Sequence, residues 1–258
     1  MIAIIGGSGL NRLEGLERGT ELHLETRWGS PSCPIVEGLW HGVPTLFLPR
    51  HGAGHSLPPH RINYRANLWA LKEAGARAVL SVAASGGIRK DCQPGTLVVP
   101  DQLIDYTWGR DSTFFDGDDA PVVHVDFTEP YHRRLREALM EAALAEGIPL
   151  IGDGVYACTQ GPRLESAAEV RRLAQDGCTL VGMTGMPEAA LARELGLPYA
   201  CLSVVANLAA GLDPQARVIS VEEIHHVLAQ GMQAARQVLA RAAGLIHAGS
   251  APPETGES

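Results

Sequence analysis

Short apolar runs alternate with amphipathic stretches along most of this chain. The apolar runs predict strands at residues 2–5, 43–48, 77–82, 94–99, 155–159, 178–181 and 197–205. Apolar residues three or four positions apart predict helices at 61–74, 129–146, 167–176 and 188–195. A last helix is expected from Ser220, with Glu223 completing a capping box. Strands that alternate with helices predict an α/β fold.

The composition is that of a folded domain. Of 258 residues, 45% are hydrophobic and 19% charged, and the length suits one large α/β domain or two small ones. No linker divides the chain, so we expect one domain over residues 1–246 and a disordered tail at 247–258. The net charge of −8 argues against a nucleic-acid or anionic-membrane partner, although a few local donors can still hold an anion.

The cysteines and the N-terminal residues indicate the cellular compartment. The five cysteines include no C-x-x-C pair, which argues against a disulfide framework and a zinc site. Residues 2–5 are too short for the apolar core of a signal peptide, and no run is long enough to span a bilayer. We therefore expect a cytoplasmic protein without a membrane partner.

Small-residue loops are expected after two of the strands. They are GGSGL at residues 6–10 and AASGG at residues 83–87. Glycines there let backbone N–H groups approach an anion, and Ser8 adds a hydroxyl. The dinucleotide pattern G-x-G-x-x-G fails because Arg12 stands at its third glycine, and no Walker lysine follows. One such loop is more often a plain turn, but two favour a pocket.

Residues 180–188, LVGMTGMPE, lead from a strand into a helix. Pro187 suits the first helical turn, so Met183 and Thr184 lie at the junction. Ligands bind at such junctions in α/β proteins, but a turn without a ligand explains these residues equally well.

Residues 50–60, RHGAGHSLPPH, form a loop with Arg50 and three histidines. A metal site is one interpretation, although the loop has no Asp, Glu or Cys. Another is an anion or sugar clamp with Arg50 as a bidentate donor. A solvated loop is the third, which we favour for His60.

Two polar residues stand at strand exits. Glu165 either faces a ligand or caps the helix that follows, and local sequence favours the cap. Asn207 is expected where its strand leaves the sheet, and its amide both donates and accepts. The polar stretch 101–119 carries Trp108, Phe114 and Phe115, which suit a lid, a subunit contact or a packed loop.

Five motifs in order resemble the trimeric purine nucleoside phosphorylase superfamily, and within it the methylthioadenosine and methylthioinosine phosphorylases. They are GGSGL at 6–10, RHG at 50–52, NYRAN at 63–67, GPR at 161–163 and MTGMPE at 183–188. The resemblance spans residues 2–243. It implies a central mixed β-sheet flanked by helices, a homotrimer, and phosphorolysis of a purine nucleoside. Inorganic phosphate would be the co-substrate, with no cofactor and no metal.

The resemblance also implies a phosphate site and a ribose floor. The phosphate site would comprise Ser8, Arg50, His51, the Ala84 backbone and Thr184. Met183 matches the residue beneath the ribose. Ala83 departs from the family, which usually has Asn or Thr there, so a side-chain donor near phosphate or ribose is missing.

Glu165 and Asn207 match the base-binding pair of 6-oxopurine phosphorylases, whereas the methylthioadenosine branch has Ser and Asp there. An Asn amide donates to O6 and accepts from a protonated N7. A Glu carboxylate accepts from N1–H, which inosine has and adenosine lacks. We therefore expect a hypoxanthine base, with Asn207, Glu165 and His51 as catalytic residues.

The 5′ end of the nucleoside has an implied pocket too. Val221 stands where inosine/guanosine phosphorylases have a His, and with Ile224 it offers an apolar wall for a methylthio group. His124 matches a residue that a neighbouring subunit contributes, and His55 is a further candidate. Leu164 joins the substrate-binding set. The expected substrate is 5′-methylthioinosine.

Other functions stay open. Within the same class, inosine/guanosine or methylthioadenosine could be the main substrate. A nucleosidase that uses water would lack a clamp of the Arg50/His51 type. Ala83 prompts a non-catalytic nucleoside-binding protein, against which the remaining phosphate-site residues argue.

Overall fold

A mixed sheet of eleven strands organises the residues that the computed structural model describes, which are 1–117, 121–215 and 220–249. The strands are β1 (Ile2–Gly6), β2 (Leu16–Leu22), β3 (Ile35–Trp40), β4 (Val43–Pro49), β5 (Ala78–Gly87), β6 (Leu97–Val98), β7 (Gln102–Asp105), β8 (Leu150–Ile151), β9 (Val155–Cys158), β10 (Leu180–Gly182) and β11 (Tyr199–Leu208). The helices are α1 (Tyr64–Glu73), α2 (Arg133–Ala145), α3 (Ala167–Gln175), α4 (Gly185–Glu194) and α5 (Val221–Ala248), with short 3-10 turns at Ala53–His55 and Pro59–Arg61.

The strand order is β2-β3-β4-β1-β5-β10-β9-β7, while β11 pairs with β5 and β6, and β8 extends β6. β1 runs parallel to both β4 and β5, and β11 runs parallel to β5. The β2-β3-β4 meander is antiparallel, as is the β5–β10 pair. The predicted α/β fold with a central mixed sheet is therefore confirmed.

Both faces of the sheet are covered, which explains the continuous apolar runs. In β1, Ala3 and Ile5 belong to one core cluster, whereas Ile2 and Ile4 belong to the other. Residues of α1 and α4 pack in the first cluster, and residues of α2 and α5 pack in the second. A strand that lies between two helical layers has both faces buried, so neither face is polar. Burial of each Leu or Ile side chain stabilises the folded state by about 1.5–3 kcal/mol.

The predicted loop at residues 83–87 is wrong, because β5 continues through it to Gly87. The small residues serve close packing instead of a turn. A Cβ on Gly87 would lie 1.9 Å from the Cys92 carbonyl oxygen, and one on Gly86 would lie 3.3 Å from Val181. Glycine in a strand often marks such an approach of another backbone.

Two predicted helices begin later than expected. α1 begins at Tyr64, since Asn63 is its N-cap and accepts from the Ala66 N–H, while Pro59–Arg61 forms a separate 3-10 turn. α2 begins at Arg133, three residues beyond Pro130. At the other end of the chain, α5 continues to Ala248, past the expected domain boundary at 246. The rest of the expected tail, residues 250–258, lies outside the described residues.

Several strands have no signal in the apolar pattern. β2 is almost wholly exposed and polar, and it exists because it pairs with β3 in an antiparallel hairpin. β7 lies inside the polar stretch 101–119, where no strand was predicted. The strand predicted at 94–99 is present, but β6 is only two residues long. No helix in the described ranges is long and apolar enough to cross a membrane.

Candidate active site

Three strands bring the phosphate-site residues to one edge of the sheet. Gly6 at the end of β1 lies in register with Pro49 at the end of β4, and the Arg50 N–H donates to the Gly6 carbonyl at 2.9 Å. A Cβ on Gly7 would lie 3.0 Å from Arg50 Nη1, so the glycine lets the loop before Ser8 pass over the guanidinium. Ser8, Arg50 and the adjacent strand β5 therefore share one region.

Arg50 is buried in an ion pair that the sequence did not predict. Its Nε and Nη2 donate to the two carboxylate oxygens of Glu188, at 2.6 and 2.7 Å, and Nη1 donates to the Val82 carbonyl at 2.9 Å. The side chains are 1% and 0% exposed. Burial opposes the charge of Arg50, but Glu188 outweighs it and raises the pKa of Arg50.

This geometry corrects the expectation that Arg50 is a bidentate anion clamp. The edge formed by Nε and Nη2 already holds Glu188, so a bound anion meets only the remaining N–H groups. The Tyr199 hydroxyl lies 2.8 Å from both Glu188 Oε1 and Ser81 Oγ, which fixes the carboxylate in turn. An acidic residue in an otherwise apolar stretch of α4 was the signal that could have indicated a buried partner.

His51 is buried and neutral at pH 7. Its Nδ1 lies 2.9 Å from the Leu57 carbonyl oxygen, and because a carbonyl only accepts, Nδ1 must carry the proton. Burial, and then the charge of Arg50, lower the pKa of His51 to about 4. In this neutral tautomer Nε2 is an acceptor, which suits the protonated oxygen of a hydrogen phosphate ion.

His55 stacks on His51, with ring centroids 4.2 Å apart. Burial and the nearby His225 lower the pKa of His55, so the first turns of α5 approach this loop. In the described part of the chain, no three His, Cys, Asp or Glu side chains are grouped to hold a metal ion. His60 is exposed.

The strand–helix junction of residues 182–186 depends on glycine. A Cβ on Gly182 would lie 2.0 Å from the Tyr156 hydroxyl, so only glycine fits above that ring. Thr184 follows as the N-cap of α4, buried, but its hydroxyl does not cap the helix. The loop of residues 159–165, called the base-side loop below, packs against the half-buried Met183. A Cβ on Gly161 in this loop would lie 2.5 Å from Met183 Sδ.

Glu165 does not cap α3, contrary to the local expectation. Ser166 is the N-cap and forms a capping box with Glu169, one position further along than a Glu165 cap would require. Glu165 instead accepts a hydrogen bond from Thr159 Oγ1 at 2.6 Å. Both residues line a cavity of about 330 Å³ together with Tyr106, Trp108 and Gln160, among others. Glu165 therefore lines a cavity and does not cap a helix, and its contact with a ligand stays a prediction.

Asn207 lies inside β11, not beyond it. It pairs with Gly86 directly after a bulge between Val205 and Asn207, and such bulges re-aim side chains. Its Nδ2 donates to the Leu208 carbonyl at 2.7 Å. Asn207 is not among the residues that line the cavity beside Glu165.

Arg110 is a residue of the site that sequence reasoning missed. Its Nη1 donates to the carbonyl oxygens of Met183 and Met186, the first at 2.9 Å. Its Nη2 donates to the Gln160 carbonyl at 2.9 Å and lies 3.3 Å from that of Thr159. One guanidinium thereby ties the base-side loop to the Met183–Met186 turn. No local pattern marks an arginine for this task, because its acceptors are all more than 45 residues away. They are four backbone carbonyls and the side chains of Tyr64 and Gln160.

The stretch around Arg110 is a packed loop at one end, whereas a lid or a subunit contact at its exposed part stays a prediction. Phe114 is a packed residue, 4.7 Å from the Trp28 ring. Trp108, however, is 73% exposed. Arg65 holds the stretch through Asp111 and Asp116.

The residues expected around the 5′ end of the nucleoside differ in their exposure to solvent. Ile224 is half-buried in the first turn of α5, whereas His124 and Leu164 are exposed. The side chain of Val221 lies outside the described residues.

The profile of the family described as the "Phosphorylase superfamily" matches residues 1–243. The chain belongs to the phosphorylase superfamily. The resemblance expected from the five motifs is thus confirmed.

Relatives of this superfamily member carry more specific names. A probable S-methyl-5'-thioinosine phosphorylase of Pseudomonas syringae pv. tomato is 54% identical over 239 residues, covering 93% of this chain and 96% of that one. A probable 6-oxopurine nucleoside phosphorylase of Dictyoglomus turgidum is 44% identical, covering 93% and 89%. The methylthioadenosine phosphorylase of Schistosoma mansoni in complex with adenine is 33% identical, with a TM-score of 0.91 over 96% of this chain and 92% of that one.

Proposed function

We propose that the enzyme cleaves S-methyl-5'-thioinosine with inorganic phosphate, giving hypoxanthine and S-methyl-5-thioribose 1-phosphate. The observation that carries this is the pairing of a Glu at 165 with an Asn at 207, together with a 54% identical relative of that name. A 6-oxopurine needs an acceptor for N1–H and a group that serves both O6 and N7, and these two residue types supply them.

In the proposed mechanism, a phosphate oxygen attacks C1′ as the bond from C1′ to the purine breaks, through an oxocarbenium-like transition state. Phosphate would lie on Ser8, Arg50, His51, the Ala84 N–H and Thr184. Arg50 keeps a fixed guanidinium because Glu188 holds it, so it need not reorganise during the reaction. Hydrogen phosphate brings one proton and hypoxanthine leaves with one, so no net proton is exchanged with solvent.

The nucleoside would lie between the two halves of the site. Met183 would support the ribose, and Glu165, Leu164 and Asn207 would contact the base. Asn207 would accept a hydrogen bond from N7–H as negative charge develops on the leaving purine. We therefore count Asn207 as a catalytic residue, together with Glu165 and His51. Val221, Ile224, His55 and a neighbour's His124 would surround the methylthio group. No cofactor or metal is required.

We also propose a homotrimer whose sites lie at the subunit interfaces. The segment that carries His124 exposes Val122, Val123 and Val125, and Val122 is 70% exposed. A row of exposed valines beside a histidine indicates a surface that a second copy covers. The five free cysteines suit the reducing cytoplasm, where we place the enzyme. Light scattering should give three times the monomer mass, and a monomeric mass in active enzyme would contradict it.

A substrate panel tests the function. The values of kcat/KM for methylthioinosine, inosine and methylthioadenosine are measured with and without phosphate. We expect methylthioinosine to be preferred and turnover to require phosphate. A preference for inosine would agree instead with the 6-oxopurine relative, and a preference for methylthioadenosine with the solved Schistosoma mansoni enzyme. Undiminished turnover without phosphate would indicate a nucleosidase, and purine binding without base release a non-catalytic binding protein.

A further inference from the structure

Thr159 is held rigidly at the start of the base-side loop. It follows β9 directly, and its backbone N–H donates to the Gly182 carbonyl at 2.8 Å, so the main chain is fixed against β10. Its side chain is half-buried, and a β-branched side chain has few rotamers to choose from. The hydroxyl therefore has a defined direction.

That hydroxyl points at Glu165. Thr159 Oγ1 lies 2.6 Å from Glu165 Oε1 and 3.3 Å from the Gly182 carbonyl oxygen. A threonine hydroxyl has one proton, and the shorter contact to a carboxylate is the stronger hydrogen bond. The proton thus belongs to the bond with Oε1 and orients the Glu165 side chain.

The other carboxylate oxygen is left for a ligand. Among the described residues, none donates a hydrogen bond to Glu165 Oε2, and Glu165 lines the cavity beside it. A carboxylate with one oxygen engaged presents the other as an acceptor in a fixed direction. A base with a hydrogen at N1 satisfies that acceptor, whereas a 6-aminopurine presents a lone pair there and leaves both groups unpaired.

We infer that Thr159 is a specificity-determining residue: its hydroxyl positions Glu165 Oε2 to accept from N1–H, and so favours 6-oxopurine over 6-aminopurine nucleosides. The inference rests on the proposed function. Thr159 is a positioning residue, because its proposed effect on the base acts through Glu165.

The test compares Thr159→Val, which keeps the shape, with Thr159→Ser, which keeps the hydroxyl. We measure kcat and KM for methylthioinosine and methylthioadenosine, and KM for phosphate. In Thr159→Val, kcat/KM for methylthioinosine should fall about tenfold or more, the loss typical of a hydrogen bond to a charged group. The value for methylthioadenosine and the KM for phosphate should stay within about twofold. Thr159→Ser should restore most of the methylthioinosine activity.

Thr113→Val is the matched control. Thr113 Oγ1 donates to Glu194 Oε1 at 2.7 Å, so the control removes the same kind of bond outside the base site. It should leave the ratio of the two substrates unchanged. A purely structural role for Thr159 would lower activity on both substrates alike and leave the ratio intact, which would overturn the inference.

A double-mutant cycle keeps the inference testable if Thr159→Val folds poorly. In a Glu165→Gln background, Thr159→Ser and Thr159→Ala should differ little in hypoxanthine affinity, because the carboxylate they would orient is gone. Additive effects in this cycle would also overturn the inference. Failure of the proposed function is seen separately, as wild-type enzyme that releases no hypoxanthine with phosphate present.

Discussion

The phosphate half and the base half of the candidate site are built in opposite ways. Around Arg50, the side chains of Glu188, Tyr199 and Ser81 are buried, and each is hydrogen-bonded to a partner. Around Glu165, the side chains are half-exposed, and the carboxylate has one bond, to Thr159. A buried network with all its members satisfied is costly to alter one residue at a time, whereas an open rim is not.

The difference suits what the two halves would bind. Phosphate is the same in every nucleoside phosphorylase, so its pocket gains from rigidity. The bases and 5′ groups differ among the relatives, whose names cover thioinosine, 6-oxopurine and methylthioadenosine enzymes. Four predictions test this contrast, in order of expected effect.

Breaking the buried ion pair should have the largest effect. Glu188→Ala leaves the Arg50 charge buried without its partner, and we expect the free energy of unfolding to fall by about 3–5 kcal/mol in denaturant titrations. Arg50→Met combined with Glu188→Leu should recover much of that stability but not phosphate-dependent turnover. If Glu188→Ala were as stable as wild type, the phosphate half would not be the rigid half.

Lowering the pH should reduce the free energy of unfolding through His51, which also lies in the phosphate half. Its folded pKa of about 4 lies below the ordinary 6.5, so the unfolded chain binds the proton more readily than the folded one. Stability is therefore retained above pH 6.5, falls as pH drops from 6.5 to 4, and then levels off, a loss of about 3 kcal/mol. His51→Gln should lack this loss in phosphate-free denaturant titrations, while His60→Gln, in the same loop, should keep it.

Arg110 joins the two halves, so changing it should impair both. An ammonium cannot reach the carbonyls of Gln160 and Met183 together, and Arg110→Lys should lower kcat/KM about 30-fold. Arg89→Lys is the control, since Arg89 forms an exposed cluster with Asp91 and Asp153. Normal activity of Arg110→Lys would mean that the loops hold their positions without it.

A substitution in the base half should alter the preference between substrates more than the stability of the fold. Asn207→Asp should shift the ratio of kcat/KM for methylthioadenosine over methylthioinosine upward by about tenfold, because a carboxylate faces O6 unfavourably and accepts from a 6-amino group. The unfolding midpoint should change little. An unaltered ratio would contradict the proposed role of Asn207.

Much of the fold followed from local pattern. Apolar runs located β1, β4 and β11, and the helical periodicity located α2 and α3 within a few residues. The prediction from small residues was wrong. Gly86 and Gly87 suggested a loop, but they lie in β5. Glycine is needed there because Val181 and Cys92 pack closely against these two positions. The exposed β2 had no apolar alternation to find.

By itself the sequence determined the features that involve neighbours along the chain. Ser220 caps α5 as predicted, because its Oγ and the Glu223 N–H are three residues apart. Ser166 caps α3 with the same spacing, although the local sequence had favoured Glu165 there. Thr184 lies at the strand–helix junction predicted for residues 180–188, although α4 begins at Gly185 and not at the predicted residue 188. The five motifs, too, are local strings, and they were enough to indicate the family.

Only the tertiary structure decided which distant groups meet. Arg50 and Glu188 are 138 residues apart, and no spacing rule pairs them. The register of β9 against β10 places Thr159 against Gly182, and Arg110 then joins the Gln160 and Met183 carbonyls. Such contacts depend on strand order and burial across the whole sheet, because the packed core determines the distances between charged and hydroxyl groups that are far apart in the sequence.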